Sequence, residues 1–145
     1  MTTAAATPSA TPAPLIERLT DELGYPLVDL DNIDEFFSSA ELSVLFFTED
    51  VKRFPESNDV AVVLPELLKA FPTLAAAVVS HRDERKLQKQ YGFTSWPALV
   101  FFRDGQYLGA LTGIQDWNVY LEEINRLLAA EPTRPPTLGI PVVTQ

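Results

Sequence analysis

The sequence predicts an α/β fold with a mixed central sheet and helices on both of its faces. Three observations predict it. Short continuous apolar runs at 43–48, 74–79 and 98–102 alternate with segments whose apolar residues recur every three or four positions. The pair Asp104-Gly105, between two apolar runs, is a two-residue hairpin signal, so the last two strands are antiparallel. The earlier strands are separated by helices, which demands right-handed crossovers between parallel strands. After an N-terminal helix the order is β-α-β-α-β-α-β-β-α, which layers as helices, sheet, helices.

The elements follow in order. Leu15, Ile16, Leu19 and Leu23 stand at helical spacing, with Glu17, Asp21 and Glu22 off the stripe. Gly24 and Pro26 end that helix, and 26–29 is a short strand. Asp31 or Asn32 can cap a second helix over 33–39, anchored by Phe36 and Phe37. The run 43–48 reads as a central strand covered on both faces. A polar loop over 49–56 leads to a helix that Ser57, Asn58 or Asp59 can cap. Val60, Val63, Leu64, Leu67, Leu68 and Phe71 face inward from it, Pro65 is expected to kink it, and Pro72 ends it. Residues 73–80 read as a second buried strand, although alanine favours helix.

A charged helix over 82–91 follows. Arg82, Asp83, Glu84, Arg85, Lys86 and Lys89 are expected outside, with Leu87 and Tyr91 inside and Gly92 as a left-handed cap. Pro97 starts an apolar strand, a position a strand tolerates. After the hairpin, Trp117, Tyr120, Leu121, Ile124, Leu127 and Leu128 make the stripe of a last helix over 116–130. Pro132, Pro135 and Pro136 forbid another. The chain divides into a disordered tail 1–14, one domain 15–130 and a proline-rich tail 131–145.

Composition excludes several functions. The chain has 145 residues and no cysteine, so disulfides, thiol redox catalysis and cysteine-held metal are ruled out. It contains no apolar run long enough to cross a membrane, and its first fourteen residues lack the basic and leucine-rich parts of a signal peptide. With the missing cysteines this favours the cytoplasm. The net charge of -9 argues against nucleic acid. The charge is uneven: residues 15–66 hold thirteen acids and three bases, residues 67–130 six acids and seven bases. Such a field attracts a basic partner, or simply aids solubility.

Candidate catalytic groups are few. Ser57 with His81, the sole histidine, could be a nucleophile and base, but no nucleophile elbow surrounds Ser57 and a serine before a helix is a common cap. His81 reads as a surface residue at a strand end. Glu49-Asp50 and Asp29-Asp31 lack calcium-loop spacing, and Gly105, Gly109 and Gly113 match no phosphate loop. No cofactor or metal is expected.

The order of helix, Tyr91-Gly92-Phe93, Trp96-Pro97, strand, Asp104-Gly105, strand, Gly113 and final helix resembles the C-terminal half of a thioredoxin. The resemblance implies a thioredoxin-like three-layer fold with a cis-proline at Pro97. Setting Pro65 on the proline that kinks the thioredoxin helix puts the two redox cysteines at Ser57 and Val60, with Asn58-Asp59 between them. Serine and valine perform no disulfide exchange. Trp96-Pro97 has two readings: a loop shaped by the proline with the indole packed inward, or a backbone edge offered to an extended peptide with the indole beside it.

The runs 53–60 and 65–72, together with Gly105-Gln106-Tyr107-Leu108-Gly109 and Leu111-Thr112-Gly113-Ile114-Gln115-Asp116-Trp117, resemble the HyaE/HupG/HoxO family of [NiFe]-hydrogenase accessory proteins over about residues 15–130. The tails depart from the family, and Pro65 departs from some of its members. The resemblance implies a non-catalytic chaperone that binds the hydrogenase small-subunit precursor and its twin-arginine signal peptide before export, with another hydrogenase accessory protein as a further candidate partner. Its basic opening would meet Glu49, Asp50, Glu56 and Asp59, and the peptide would run past Ser57, Asn58, Val60, Trp96 and Pro97. The alternative is a thioredoxin-like scaffold subunit that never touches the signal.

Overall fold

A computed structural model describes residues 12–136. The expected N-terminal tail, save its last three residues, and the apolar end of the C-terminal tail lie outside the described residues. The elements are α1 (Pro14–Asp21), β1 (Leu27–Val28), α2 (Ile33–Ser38), β2 (Leu42–Phe47), α3 (Glu56–Ala70), β3 (Leu74–Val79), α4 (Glu84–Tyr91), β4 (Ala98–Arg103), β5 (Gln106–Thr112) and α5 (Trp117–Ala129), with a 3-10 turn at His81–Asp83 before α4.

The five strands lie in the order β1-β3-β2-β4-β5. β3 runs parallel to β1 and β2, while β4 is antiparallel to both β2 and β5. Central β2 is paired on both sides, Val44 lying opposite Ala76 and Phe101. Its side chains alternate between faces. Val44 and Phe46 join Leu19, Leu64, Tyr120 and Ile124 under α1, α3 and α5. Leu45 and Phe47 join Phe36, Leu87, Tyr91 and Phe93 under α2 and α4. Two cores on one sheet explain why β2 reads as continuously apolar, and burial on both faces overrides the helix preference of the alanines in β3.

The turns follow from their residues. Asp104 and Gly105 have φ of 51° and 77°, both positive as a type I′ hairpin requires. Gly92 has φ 76° and its N–H donates to Gln88 O at 2.8 Å, closing α4. The Trp96-Pro97 bond is cis. The end of α5 and the chain after it are tied to the β4–β5 hairpin: Arg103 of β4 donates to Ala130 O at 2.7 Å and to Leu128 O, and Thr133 N–H donates to Tyr107 O of β5 at 2.9 Å.

Several expectations need correction. Ser57, Asn58 and Asp59 do not cap α3, which already begins at Glu56 with Pro55 before it. Neither Asp31 nor Asn32 caps α2 with its side chain; Asp29 Oδ1 instead accepts the N–H groups of Asp31 and Asn32 at 2.9 and 3.1 Å. Leu15, Leu23 and Trp117 are exposed: Leu15 and Trp117 stand in the first turns of α1 and α5, and Leu23 lies past the end of α1. Asp83 and Glu84 are buried.

Candidate functional site

The chain crosses from β2 into α3 through residues 48–55, and this loop meets the cis-Pro97 turn at one end of the sheet. Phe47 pairs with Ala98, so the residues just beyond them, Thr48 and Pro97, are brought to the same end. Gly113 N–H donates to Pro97 O at 2.8 Å, which adds the β5–α5 turn. A Cβ placed on Gly113 would lie 3.8 Å from Glu56 Oε1, so the start of α3 borders that turn.

Most of the expected residues gather here, in two groups. Glu49, Asp50, Glu56, Asn58, Asp59 and Trp96 retain solvent access. Ser57 and Val60 do not, with exposures of 0% and 1%, and a peptide lying on this surface cannot touch them. They stand on the inner stripe of α3 with Ala61, Leu64 and Leu67. Ser57 Oγ donates to Thr48 O at 2.7 Å, tying the helix start to the end of β2. His81 Nδ1 is engaged instead by Glu84 Oε1 at 2.9 Å, on the carboxylate that also accepts Glu49 N–H. The serine and histidine thus form no nucleophile–base pair. Pro97 is buried within the turn.

The indole of Trp96 packs inward. It lies between Phe54 and Phe93, at 5.6 and 5.4 Å between ring centroids, with the Arg85 guanidinium 5.8 Å from its ring. Its Nε1 is buried without a hydrogen-bond partner among the described residues. The backbone of residues 94–96 behaves differently. Among the described residues it makes no hydrogen bond, although β4, which begins just after it, is paired with β2 and β5. An open N–H and C=O at the end of a sheet is what an added strand pairs with.

The charges near this backbone are mixed. Glu49 pairs with Arg85 at 3.2 Å and adopts φ 50°, an uncommon conformation for a residue with a side chain. Its N–H is held by the buried Glu84 carboxylate at 2.9 Å. Asp50 accepts the N–H of Lys52 at 3.0 Å. Glu56 and Asp59 have no ion-pair partner among the described residues, and both are exposed. The acidic character of 15–66 therefore reaches this surface through the first turn of α3.

Asp83 and Glu84, both expected in water, are buried, and each accepts a backbone N–H from a distant loop. Asp83 Oδ2 accepts Leu30 N–H at 2.8 Å. That bond, with Arg82 alongside, holds the Asp83 carboxyl below the usual carboxylate range. The hydrogen bond to Glu84 raises the His81 pKa above 6.5, against the opposing effect of its own burial and aided by the charges of Glu84, Glu49 and Asp50. A raised histidine pKa stabilises the fold below the unfolded-state value and ceases to do so as pH rises through the folded-state one. The stability difference between the protein and a His81→Gln variant should therefore shrink as pH goes from about 5.5 to about 8.5, followed by urea unfolding. A difference independent of pH would show that the ionised pair contributes nothing.

No group of three or more candidate metal ligands occurs among the described residues, and no helix among them is long and apolar enough to cross a membrane.

Comparison with known proteins adds the following. A family profile described as hydrogenase-1 expression protein HyaE matches residues 15–120. The hydrogenase expression/formation protein HoxO of Azotobacter vinelandii is 54% identical over 118 residues, covering 81% of this chain and 80% of HoxO. A crystal structure of the hydrogenase expression/formation protein HupG from Rhodopseudomonas palustris superposes with a TM-score of 0.52 at 44% identity, covering 72% of this chain and 95% of HupG. A thioredoxin from Halobacterium salinarum superposes with a TM-score of 0.61 at 20% identity over 74% of this chain and 93% of its own, a likeness of fold alone.

Proposed function

The chain belongs to the HyaE family of hydrogenase expression/formation proteins, with a thioredoxin-like fold and a role in hydrogenase maturation, and from that premise we propose that it is a non-catalytic cytoplasmic chaperone holding the hydrogenase small-subunit precursor by its twin-arginine signal peptide. One observation carries the reading: the unpaired backbone at 94–96 stands at the end of the sheet where α3 presents the unpaired carboxylates of Glu56 and Asp59. The backbone offers sequence-tolerant hydrogen bonds to an extended segment. The carboxylates favour a segment that opens with basic residues. No thiol is present to act on what is held. Glu49, Asp50 and Asn58 line the approach, while Trp96 and Pro97 set the course of the backbone.

The test is a titration of a labelled synthetic signal peptide, followed by fluorescence anisotropy. A Glu56→Lys, Asp59→Lys variant should bind about tenfold more weakly or worse, and with a flatter dependence on salt, because screened charges supply much of the attraction. Both positions lie in the first turn of α3, where reversal opposes the helix dipole, so the helical content and melting temperature are checked alongside. Equal affinity in a folded variant would sink the proposed site. A precursor lacking its signal that binds as well as the full precursor would instead favour the scaffold reading.

A further inference from the structure

Two large apolar side chains beside this site are left in water by the protein's own core. Ile114 is 37% exposed and Trp117 is 43% exposed. Neither sits on a loose loop. Gly113 N–H donates to Pro97 O at 2.8 Å, Gln115 Nε2 donates to Thr112 O at 2.7 Å, and Gln115 N–H donates to the Tyr120 hydroxyl at 3.2 Å. Tyr120 is itself buried. The turn carrying Ile114 and Trp117 is thus pinned to β5, to α5 and to the strand that begins after Pro97. Trp117 shares a helical face with the buried Tyr120 and Ile124 but stands at the first position of α5, beyond the reach of the sheet.

The turn that carries this apolar pair borders the first turn of α3, which bears Glu56 and Asp59. Glu56 Oε1 borders Gly113, the residue before Ile114, and Asp116 is exposed beside Trp117. We infer that the rim formed by Glu56, Asp59, Ile114 and Trp117 holds an extended segment at the point where basic residues give way to bulky apolar ones. That is the chemistry of the junction between the charged opening and the apolar run of a signal peptide. The inference rests on the peptide-holding reading above and adds which part of the peptide is held.

Charge complementarity narrows the occupant. A wholly apolar partner would strip water from Glu56 and Asp59 without replacing their hydrogen bonds. A wholly basic one would leave Ile114 and Trp117 solvated and gain nothing from them. A segment with both features in sequence satisfies both halves of the rim. Tryptophan is suited to the apolar half, being a common source of binding energy at interfaces.

The test uses the full chain and two synthetic peptides: the small-subunit signal peptide, and the same peptide with its apolar run replaced by Gly and Ser. An Ile114→Ser, Trp117→Ala variant should bind the first about tenfold more weakly or worse and retain the wild-type salt dependence. The second peptide should distinguish wild type from variant hardly at all. In a Trp96→Phe background Trp117 is the remaining tryptophan, and its emission should shift to the blue when the first peptide binds. If wild type binds the first peptide and the folded variant binds it equally, the rim is overturned while the peptide-holding reading stands. If wild type binds neither peptide, that reading fails and takes the rim with it.

Discussion

Replacement of Phe47 by alanine is expected to remove about 3–5 kcal/mol of folding stability, out of a total on the order of 5–15 kcal/mol for a domain of this kind. Phe47 is the last residue of β2 and has no exposed surface. Its ring meets Phe93 edge-on at 4.7 Å, and its backbone pairs with Ala98. Phe93 in turn packs on Trp96 at 5.4 Å. Truncation therefore opens a cavity directly beneath the cis-Pro97 turn, which the sheet cannot close because the residue is laddered to β4. Urea unfolding with an unchanged slope would report the loss as stability alone. A loss below about 1.5 kcal/mol would mean that Phe93 and Trp96 collapse into the space, and that the turn is far softer than its contacts indicate.

The fold was legible because its punctuation is chemically specific. Gly92, Asp104-Gly105 and the apolar run after Pro97 each allow few backbone conformations, and the structure adopts those conformations. The two misplaced acids, Asp83 and Glu84, share one cause: charge outweighed position along the chain. Glu84, Leu87 and Tyr91 fall at i, i+3 and i+7 on α4, and all three are buried. The period alone puts Glu84 inside, but its charge made an exposed position the default expectation. What compensates its burial is distant in sequence: the N–H of Glu49 and the ring of His81. Partners of that kind have no local signature. Asp83 repeats the pattern through Leu30. Trp117 is the converse case, an apolar residue at a core period that the core does not reach.

The gathering of the candidate residues at one end of the sheet was legible to a similar depth. The pairing of the loop after β2 with the Trp96-Pro97 turn follows from the resemblance to thioredoxin, and the strands bring the two together. The roles within it shift. The Trp96 indole is packed between Phe54 and Phe93 while the backbone beside it is unbonded among the described residues, and Glu49 is paired with Arg85. Ile114 and Trp117 went unmarked as site residues because their exposure depends on where the sheet stops, which composition does not encode.

A thiol installed at position 57 is expected to be protected, not reactive. In the register set by Pro65, Ser57 stands where a thioredoxin would carry its first redox cysteine, so Ser57→Cys tests whether the chain has lost only the thiols or also the setting for them. Two effects oppose each other at this position. The first turn of α3 favours a thiolate through the helix dipole. Full burial between α3 and Thr48 disfavours the charged form and bars a bulky disulfide reagent. Access decides the rate, since labelling must wait for local opening, and the position is packed with Val60, Ala61 and Leu64 on the inner face of the helix. Labelling at 57 should be about a thousandfold slower or more than in the unfolded chain. Asp59→Cys, exposed on the same turn, should label nearly as fast as the unfolded chain. Comparable rates at 57 and 59 would mean that the start of α3 opens freely and that a redox pair could be restored by two substitutions. Protection at 57 would mean that the chain has moved this position into its core, where the bond from Ser57 to Thr48 serves the shape of the site and no substrate can reach it.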